Sequence, residues 1–315
     1  MVQSLLISST KKSSGKTIIS IGLSGLAKNM GYAVQTFKKG PDFIDPSWLT
    51  LASSRPCYNL DFNTMGSEEI KRMYLEKSHG MGFSLIEGTK GLFDGISTDG
   101  ADSNARLASL LKSQVLLVID CEGITRGIAP LLEGYKSFGK KLKLNKVILN
   151  NVSTSRHESK LISAISRYTD FRVLGVIPSI KNFIVERHLG LVPTFQHPQK
   201  MKVLSSLVSI IKNNTDYKKL LPLRSKSQKK VIKPRVTKKK NPLVVGVASD
   251  AAFGFYYPDD IEEIERQGCR VKKIDLIREA RLPTIDGLFI GGGFPEIQAQ
   301  KLQQNNSMKK SIHNA

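Results

Sequence analysis

The tripeptide Gly15-Lys16-Thr17 stands directly behind the first apolar run, Leu5-Leu6-Ile7. That order leaves few folds open. A strand must end, the backbone must turn tightly, and a helix must begin at about Lys16 and continue through Ile18-Ile19-Ser20-Ile21-Gly22-Leu23. The free N–H groups and the positive end of such a helix point at an anion. A lysine at this place reaches β- and γ-phosphates, and the threonine after it can hold Mg²⁺. The usual pattern has Gly five residues before the Gly-Lys pair, a place that Thr10 fills here. An ordinary strand–turn–helix with a surface lysine is the plainer reading. The flanking strand and helix favour a phosphate loop instead, with Thr10, Lys12, Ser13, Ser14, Gly15, Lys16 and Thr17 around the phosphates of ATP–Mg²⁺.

The same alternation runs on. Strand-like segments are Ser4–Ser8, Tyr32–Phe37, Phe83–Glu87, Val115–Asp120, Lys146–Asn150 and Arg172–Ile177. Between them lie helix-like stretches such as Thr17–Met30, Asn104–Leu111 and Lys160–Tyr168. Apolar strands alternating with helices predict an α/β fold with a parallel sheet covered on both faces. Ligands of such sheets bind at the carboxyl ends of the strands.

Those ends are rich in chemistry. The second strand is followed by Lys38-Lys39-Gly40-Pro41-Asp42-Phe43-Ile44-Asp45-Pro46. Two carboxylates beside two lysines suit a metal–phosphate site or a clamp for a carboxylate substrate; taken alone, the run also reads as a charged surface turn. Lys38, Lys39 and Asp42 are candidate substrate ligands. The third strand leads into Glu87-Gly88-Thr89-Lys90-Gly91-Leu92-Phe93-Asp94-Gly95. An acid at a strand end near a phosphate loop can hold Mg²⁺ directly or through water, and the glycines admit a ligand close to the backbone. Lys90 joins the substrate candidates. After the fifth strand, Asn150-Asn151 offers amides for an adenine edge, although Asn is also a common turn residue.

The chain has 315 residues, enough for two domains, and its formal charge is +21. Roughly half of that charge comes from Lys218 to Lys240, which holds eleven Lys/Arg and no acid. The stretch reads as a solvated linker. It lacks the interleaved aromatics that stacking on bases would need, so a nucleic-acid arm is the weaker alternative. No apolar run approaches the roughly 20 residues of a membrane span. The N-terminus runs straight into the first strand, without a signal peptide. Cys57, Cys121 and Cys269 are odd in number and scattered, which argues against a disulfide framework or a zinc site. The cytoplasm is the expected location.

Several stretches, taken in order, carry a resemblance. They are Ser9–Thr17, which is dethiobiotin-synthetase-like, Lys39–Pro46, Asn59-Leu60-Asp61, Glu87–Gly95, Val147–Val152 with Arg156-His157, and Glu186–Leu191. Asp250–Phe253, Phe255–Pro258 and Gly291-Gly292-Gly293-Phe294-Pro295-Glu296 complete the series. Together they resemble the cobyrinate / hydrogenobyrinate a,c-diamide synthase family. The resemblance implies a P-loop domain of dethiobiotin-synthetase type over residues 1–215, a basic linker over 216–241, and the first half of a class I glutamine amidotransferase-like α/β domain over 242–315. It implies ATP-dependent amidation of tetrapyrrole carboxylates through an acyl phosphate, with ammonia from glutamine. Lys16 and Thr17 would bind phosphate and Mg²⁺. Asp45, Glu87 and Asp94 would be the metal or activation acids, and Asn150 would face adenine. A homodimer is a further expectation.

Two features depart from that pattern. The sequence stops at Ala315, before the place of the family's nucleophilic Cys elbow and its later His and Glu, so no glutaminase activity is expected from it. Truncation, an interrupted reading frame, or use of free ammonia or a separate glutaminase would each account for this, and the half-domain's sheet would be left with an uncovered edge. Lys11-Lys12-Ser13-Ser14, Lys90 and Asn59–Met65 look closer to a branch that amidates sirohaem. Two other readings compete. Lys11 occupies the signature-lysine position of partitioning and septum-site ATPases, which are dimerising switches. An inactive remnant is the other.

Overall fold

The computed structural model describes residues 3–179, 186–187, 190–222 and 241–315, with backbone only for Glu186, Arg187, Gly190 and Leu191. The basic run from residue 223 to 240, and His188-Leu189 of the Glu186–Leu191 motif, lie outside the described residues. The chain forms two compact units, one comprising the described residues up to Val192 and from Gln199 to Pro222, the other Pro193–Pro198 and residues 241–315.

The first unit runs β1 (Ser4–Ser9), α1 (Lys16–Asn29), β2 (Val34–Lys39), α2 (Ile44–Ser53), β3 (Tyr58–Leu60), α3 (Ser67–Ser78), β4 (Phe83–Glu87) and α4 (Asn104–Leu111). It continues with β5 (Gln114–Asp120), α5 (Ile128–Phe138), β6 (Lys146–Val152), α6 (Ser155–Tyr168), β7 (Arg172–Pro178), the ribbon β8 (Glu186–Arg187) and β9 (Gly190–Leu191), α7 (Lys200–Asn214) and α8 (Tyr217–Leu220). Seven strands pair in the order β3-β2-β4-β1-β5-β6-β7, all in parallel. Alternate side chains of each strand point to opposite faces. Leu5 and Ile7 therefore join a core with Leu23, Trp48, Leu207 and Ile211, while Leu6 joins Phe37, Ile86, Leu117 and Leu161 on the other side. Both faces are covered, as the unbroken apolar runs require.

Several boundaries differ from the sequence reading. β2 starts at Val34 and extends through Lys39, because Lys38 pairs in register with Glu87 and Asn59, and Lys39 with Leu60. Lys38 and Lys39 are thus strand residues, not the start of a loop. The run Ile44–Ser53 is helical despite Pro46, which sits in the first turn, where its missing N–H costs nothing. α6 starts at Ser155, since the Thr154 side chain caps it by accepting from the His157 N–H. α7 packs on α1 through Gly22 and Gly25, where a Cβ would lie 2.4 Å from Ile211 and 2.7 Å from Val208.

The second unit contains β10 (Val244–Ala248), β11 (Phe253–Phe255), α9 (Pro258–Arg266), β12 (Arg270–Ile274), β13 (Gly287–Phe289), β14 (Gly292–Gly293), α10 (Ala299–Gln304) and α11 (Asn306–His313). Its parallel sheet has the order β12-β10-β13, with β11 and β14 in a separate antiparallel pair. Ala248, Ile274, Leu276 and Met308 form its buried core. Among the described residues, no helix is long and apolar enough to cross a membrane.

Candidate nucleotide and carboxylate site

β1 lies between β4 and β5, so the chain leaves its carboxyl end where the strand order reverses, the crevice at which open α/β sheets bind ligands. The loop from Thr10 to Gly15 begins there. Ser13 (φ 55°) and Gly15 (φ 94°) are both left-handed, and such kinks turn backbone N–H groups into an anion-binding concavity. A Cβ on Gly15 would lie 2.3 Å from Asn150 Nδ2. The hydroxyls of Ser9 and Ser14 donate to the Lys11 carbonyl at 2.6 and 2.9 Å. Lys16 Nζ donates back to Ser9 Oγ at 2.9 Å, so the loop's lysine is already folded over it. Burial lowers the Lys16 pKa to about 8, with the Glu87 charge opposing. Lys12 and Ser13 are exposed at the loop's tip, and Thr10 lends its carbonyl to the Tyr135 hydroxyl at 3.0 Å.

Beside the start of α1 lies a buried knot of charge. Thr17 Oγ1 donates to Glu87 Oε1 at 2.6 Å and lies 3.4 Å from Asp45 Oδ2. Lys38 Nζ contacts Asp45 at 2.5 Å, Glu87 at 3.0 Å and Asp42 at 3.5 Å. Burial would neutralise Lys38, but Asp45, Glu87 and Asp42 hold its pKa well above the usual lysine value. One ammonium cannot satisfy three acids equally. Burial raises Glu87 to about 7 and Asp42 to about 6 despite Lys38. For Asp45 burial pushes the same way, but the Lys38 charge and hydrogen bond prevail and keep it ionised below the ordinary range.

This knot fits a divalent cation. Glu87 Oε2 is buried with no hydrogen-bond partner, an expensive state for an acceptor that a cation would relieve. Thr17 Oγ1 and Asp45 stand beside it. Among the described residues no three or more His, Cys, Asp or Glu side chains form a metal cage. Mg²⁺ is commonly held by one or two carboxylates together with water and substrate phosphates, so the two acids and one hydroxyl suffice. Asp42 plays a different local part: its Oδ1 accepts the N–H groups of Ile44 and Asp45 at the start of α2. Lys38 is occupied within the knot and is 3% exposed, which turns it toward the acids rather than outward to a substrate.

The glycine loop after β4 forms the other wall. Thr89 Oγ1 donates to the Lys39 carbonyl, and Leu92 N–H donates to the Ser9 carbonyl at 2.7 Å. Lys90 stands between them with φ 56°. Asp94 is exposed and spends Oδ2 on the Gly91 N–H at 3.0 Å, so it shapes the loop's turn. Lys39 reaches Asp102 at 3.8 Å. Burial lowers the Lys39 pKa against the pull of Asp102 and Asp61, and the nearby Lys90 charge adds to the lowering.

Three structural partners were given no site role in the sequence reading, although Asn59 stood in one of the stretches that carry the resemblance. Asn104 at the start of α4 is fully buried against the glycine loop. Asn59 donates to the carbonyls of Gly40 and Asp42 at 2.8 Å each. Asp120 accepts from Asn151 Nδ2 at 2.9 Å and pairs with Lys11 at 2.8 Å. Only position at a strand or helix end marks Asn104 and Asp120, and most such polar residues do nothing of the kind. Asn150, expected to face adenine, donates Nδ2 to the Ser14 carbonyl at 3.1 Å and so braces the phosphate loop.

Residues 5–192 match the CobQ/CobB/MinD/ParA nucleotide binding domain, and residues 244–315 match the CobB/CobQ-like glutamine amidotransferase domain. A cobyrinate a,c-diamide synthase of Magnetococcus marinus is 41% identical, over 98% of this chain and 68% of that protein. Those of Methanosarcina acetivorans and Archaeoglobus fulgidus are each 35% identical, over 99% and 98% of this chain and 66% and 68% of their own lengths. The chain thus spans about two thirds of the length of these relatives.

Proposed function

The chain belongs to the cobyrinate a,c-diamide synthase family, and on that premise we propose that it amidates acetate side chains of a tetrapyrrole at the expense of ATP. The observation that carries this reading is the meeting of Thr17, Asp45 and the partnerless Glu87 Oε2 beside the loop lysine. The loop N–H groups and Lys16 hold the triphosphate, and Thr17, Asp45 and Glu87 hold Mg²⁺. The cation, when bound, neutralises charge on the β- and γ-phosphate oxygens. Lys39, at the end of β2, and Lys90, in the glycine loop, neutralise the incoming carboxylate, which would otherwise be repelled by the triphosphate.

In the reaction a carboxylate oxygen attacks the γ-phosphorus, the bond from that phosphorus to the β,γ-bridging oxygen breaks, and ADP leaves. Ammonia then attacks the acyl carbon, the bond to the phosphate oxygen breaks, and inorganic phosphate leaves as the nitrogen loses a proton. Ammonia comes from glutamine through a CobB/CobQ-like amidotransferase domain, which residues 244–315 match, or from solution. The tetrapyrrole is cobyrinic acid by its relatives; sirohaem is the second candidate, on Lys11–Ser14, Lys90 and Asn59–Met65. A dimerising switch of partitioning type is disfavoured, because similarity to the synthases extends through both matched regions. Substrate labelled with ¹⁸O in its carboxylates tests the route: label passing into inorganic phosphate supports the acyl phosphate, and unlabelled phosphate beside amide product rules it out.

A further inference from the structure

One neutral side chain, Asn104, engages the glycine loop after Glu87 at several backbone groups at once. Asn104 is the first residue of α4 and has no exposed surface. Its Nδ2 lies 2.7 Å from the Thr89 carbonyl, 2.7 Å from the Gly91 carbonyl and 3.1 Å from Ser8 Oγ. Its Oδ1 accepts the Thr89 N–H at 3.1 Å. The carboxamide therefore engages the backbone on both sides of Lys90, as a neighbouring strand would. Gly88 leaves room for it, since a Cβ there would stand 2.8 Å from the Asn104 side chain. Lys90 itself is left-handed at φ 56°, a conformation that costs a residue with a Cβ roughly 1–2 kcal/mol and persists only when its surroundings enforce it. The enforcing contacts are these, together with Ser9 Oγ, 3.1 Å from the Lys90 carbonyl, and the Leu92 N–H on Ser9.

We propose that Asn104 is a positioning residue that locks Lys90 in its left-handed conformation, so that Lys90 forms a fixed cationic seat for the substrate carboxylate beside the phosphate loop. This rests on the amidation reading above. No other side chain could do the same work simply: a carboxylate keeps the acceptor for Thr89 N–H but turns oxygen against two carbonyls, and an alkyl group satisfies neither.

The test compares wild type, Asn104→Asp and Lys90→Gly in ADP release with ammonium chloride and cobyrinic acid, with amide hydrogen exchange on the same proteins. Asn104→Asp should raise the KM for the tetrapyrrole roughly tenfold or more, the loss expected for a charge-assisted hydrogen bond, while affinity for ATP stays within a factor of roughly two. The Thr89 and Leu92 amides should exchange faster. Lys90→Gly keeps the left-handed backbone and removes the charge, so it should raise the same KM without faster exchange. Unchanged tetrapyrrole KM in either variant, with wild type turning over, overturns the seat; unchanged exchange in Asn104→Asp overturns the lock. If Asn104→Asp does not fold, Lys90→Gly decides the seat, and Asn104→Ser, which keeps a small polar group, carries the exchange measurement. Failure of wild type to amidate any tetrapyrrole removes the amidation reading instead, and exchange still reports on the lock.

Discussion

The two walls beside the phosphate loop are held in opposite ways. On the β2–α2 side, Lys38, Asp42, Asp45 and Glu87 are packed out of water and balance one another by charge. On the β4–α4 side, hydrogen bonds do the holding: the neutral Asn104 amide and backbone groups, with the Asp94 carboxylate on the Gly91 N–H. A charged wall is sensitive to pH, to cations and to loss of any one member. A wall held mainly by hydrogen bonds depends first on shape. The division suits the proposed chemistry: the first wall must change its charge state when Mg²⁺–ATP arrives, while the second must present Lys90 at a fixed position.

The contrast is broken most severely by Lys38→Met. Removing the shared counterion strands Asp45 and Glu87 in the interior and should cost roughly 3–5 kcal/mol of unfolding free energy, read from denaturant midpoints; an unchanged midpoint would mean the acids do not depend on Lys38. Next comes Gly15→Ala. The left-handed backbone adds roughly 1–2 kcal/mol of strain, and the new methyl displaces Asn150, so affinity for Mg²⁺–ATP should fall more than tenfold in a nucleotide titration. The two walls part in their response to pH. Folded pKa values of about 7 for Glu87 and about 6 for Asp42 lie above their unfolded values of 4.5 and 3.8. The folded state therefore binds more protons between those limits, and the stability they contribute is full below the unfolded values and lost progressively until pH has risen past the folded ones. Asp45, shifted the other way, contributes above its unfolded value and loses its share only at more acidic pH. In metal-free protein, denaturant midpoints should fall as pH rises from the unfolded values of 3.8 and 4.5 to the folded values of about 6 and about 7, and Glu87→Gln should flatten the fall. The smallest effect belongs to Lys11→Ala. Lys11 is mostly exposed in its pair with Asp120, so roughly 0.2–1 kcal/mol of stability is at stake, and ATP affinity should hold. A large loss of ATP affinity would assign Lys11 to the nucleotide and revive the switch reading.

Much of this was legible in the sequence. Gly15-Lys16-Thr17 behind an apolar run fixed the loop, because strand, turn and helix start are local. Glu87 at the end of β4, and Asp45 in the run that follows β2, were picked out by the parallel sheet. What stayed hidden was long-range. Nothing near Lys38 reveals that its register with Glu87 on β4 draws it into the acids. Asn104 reaches the loop across 15 residues, and Asn150 meets Ser14 across 136; such pairings are set by packing of distant elements. The start of α2 at Ile44 falls inside the run that also read as a charged turn, and Pro46 is tolerated there because it stands in the helix's first turn.

The central claim is tested most directly by incubating the purified chain with Mg²⁺–ATP, ammonium chloride and cobyrinic acid, with sirohaem in parallel, and weighing the tetrapyrrole. The expected result is product lighter by the difference between an acid and an amide, one ADP for each amide formed, and neither with Lys16→Ala. ATP hydrolysed without amide on either tetrapyrrole, at saturating ammonia, would contradict it.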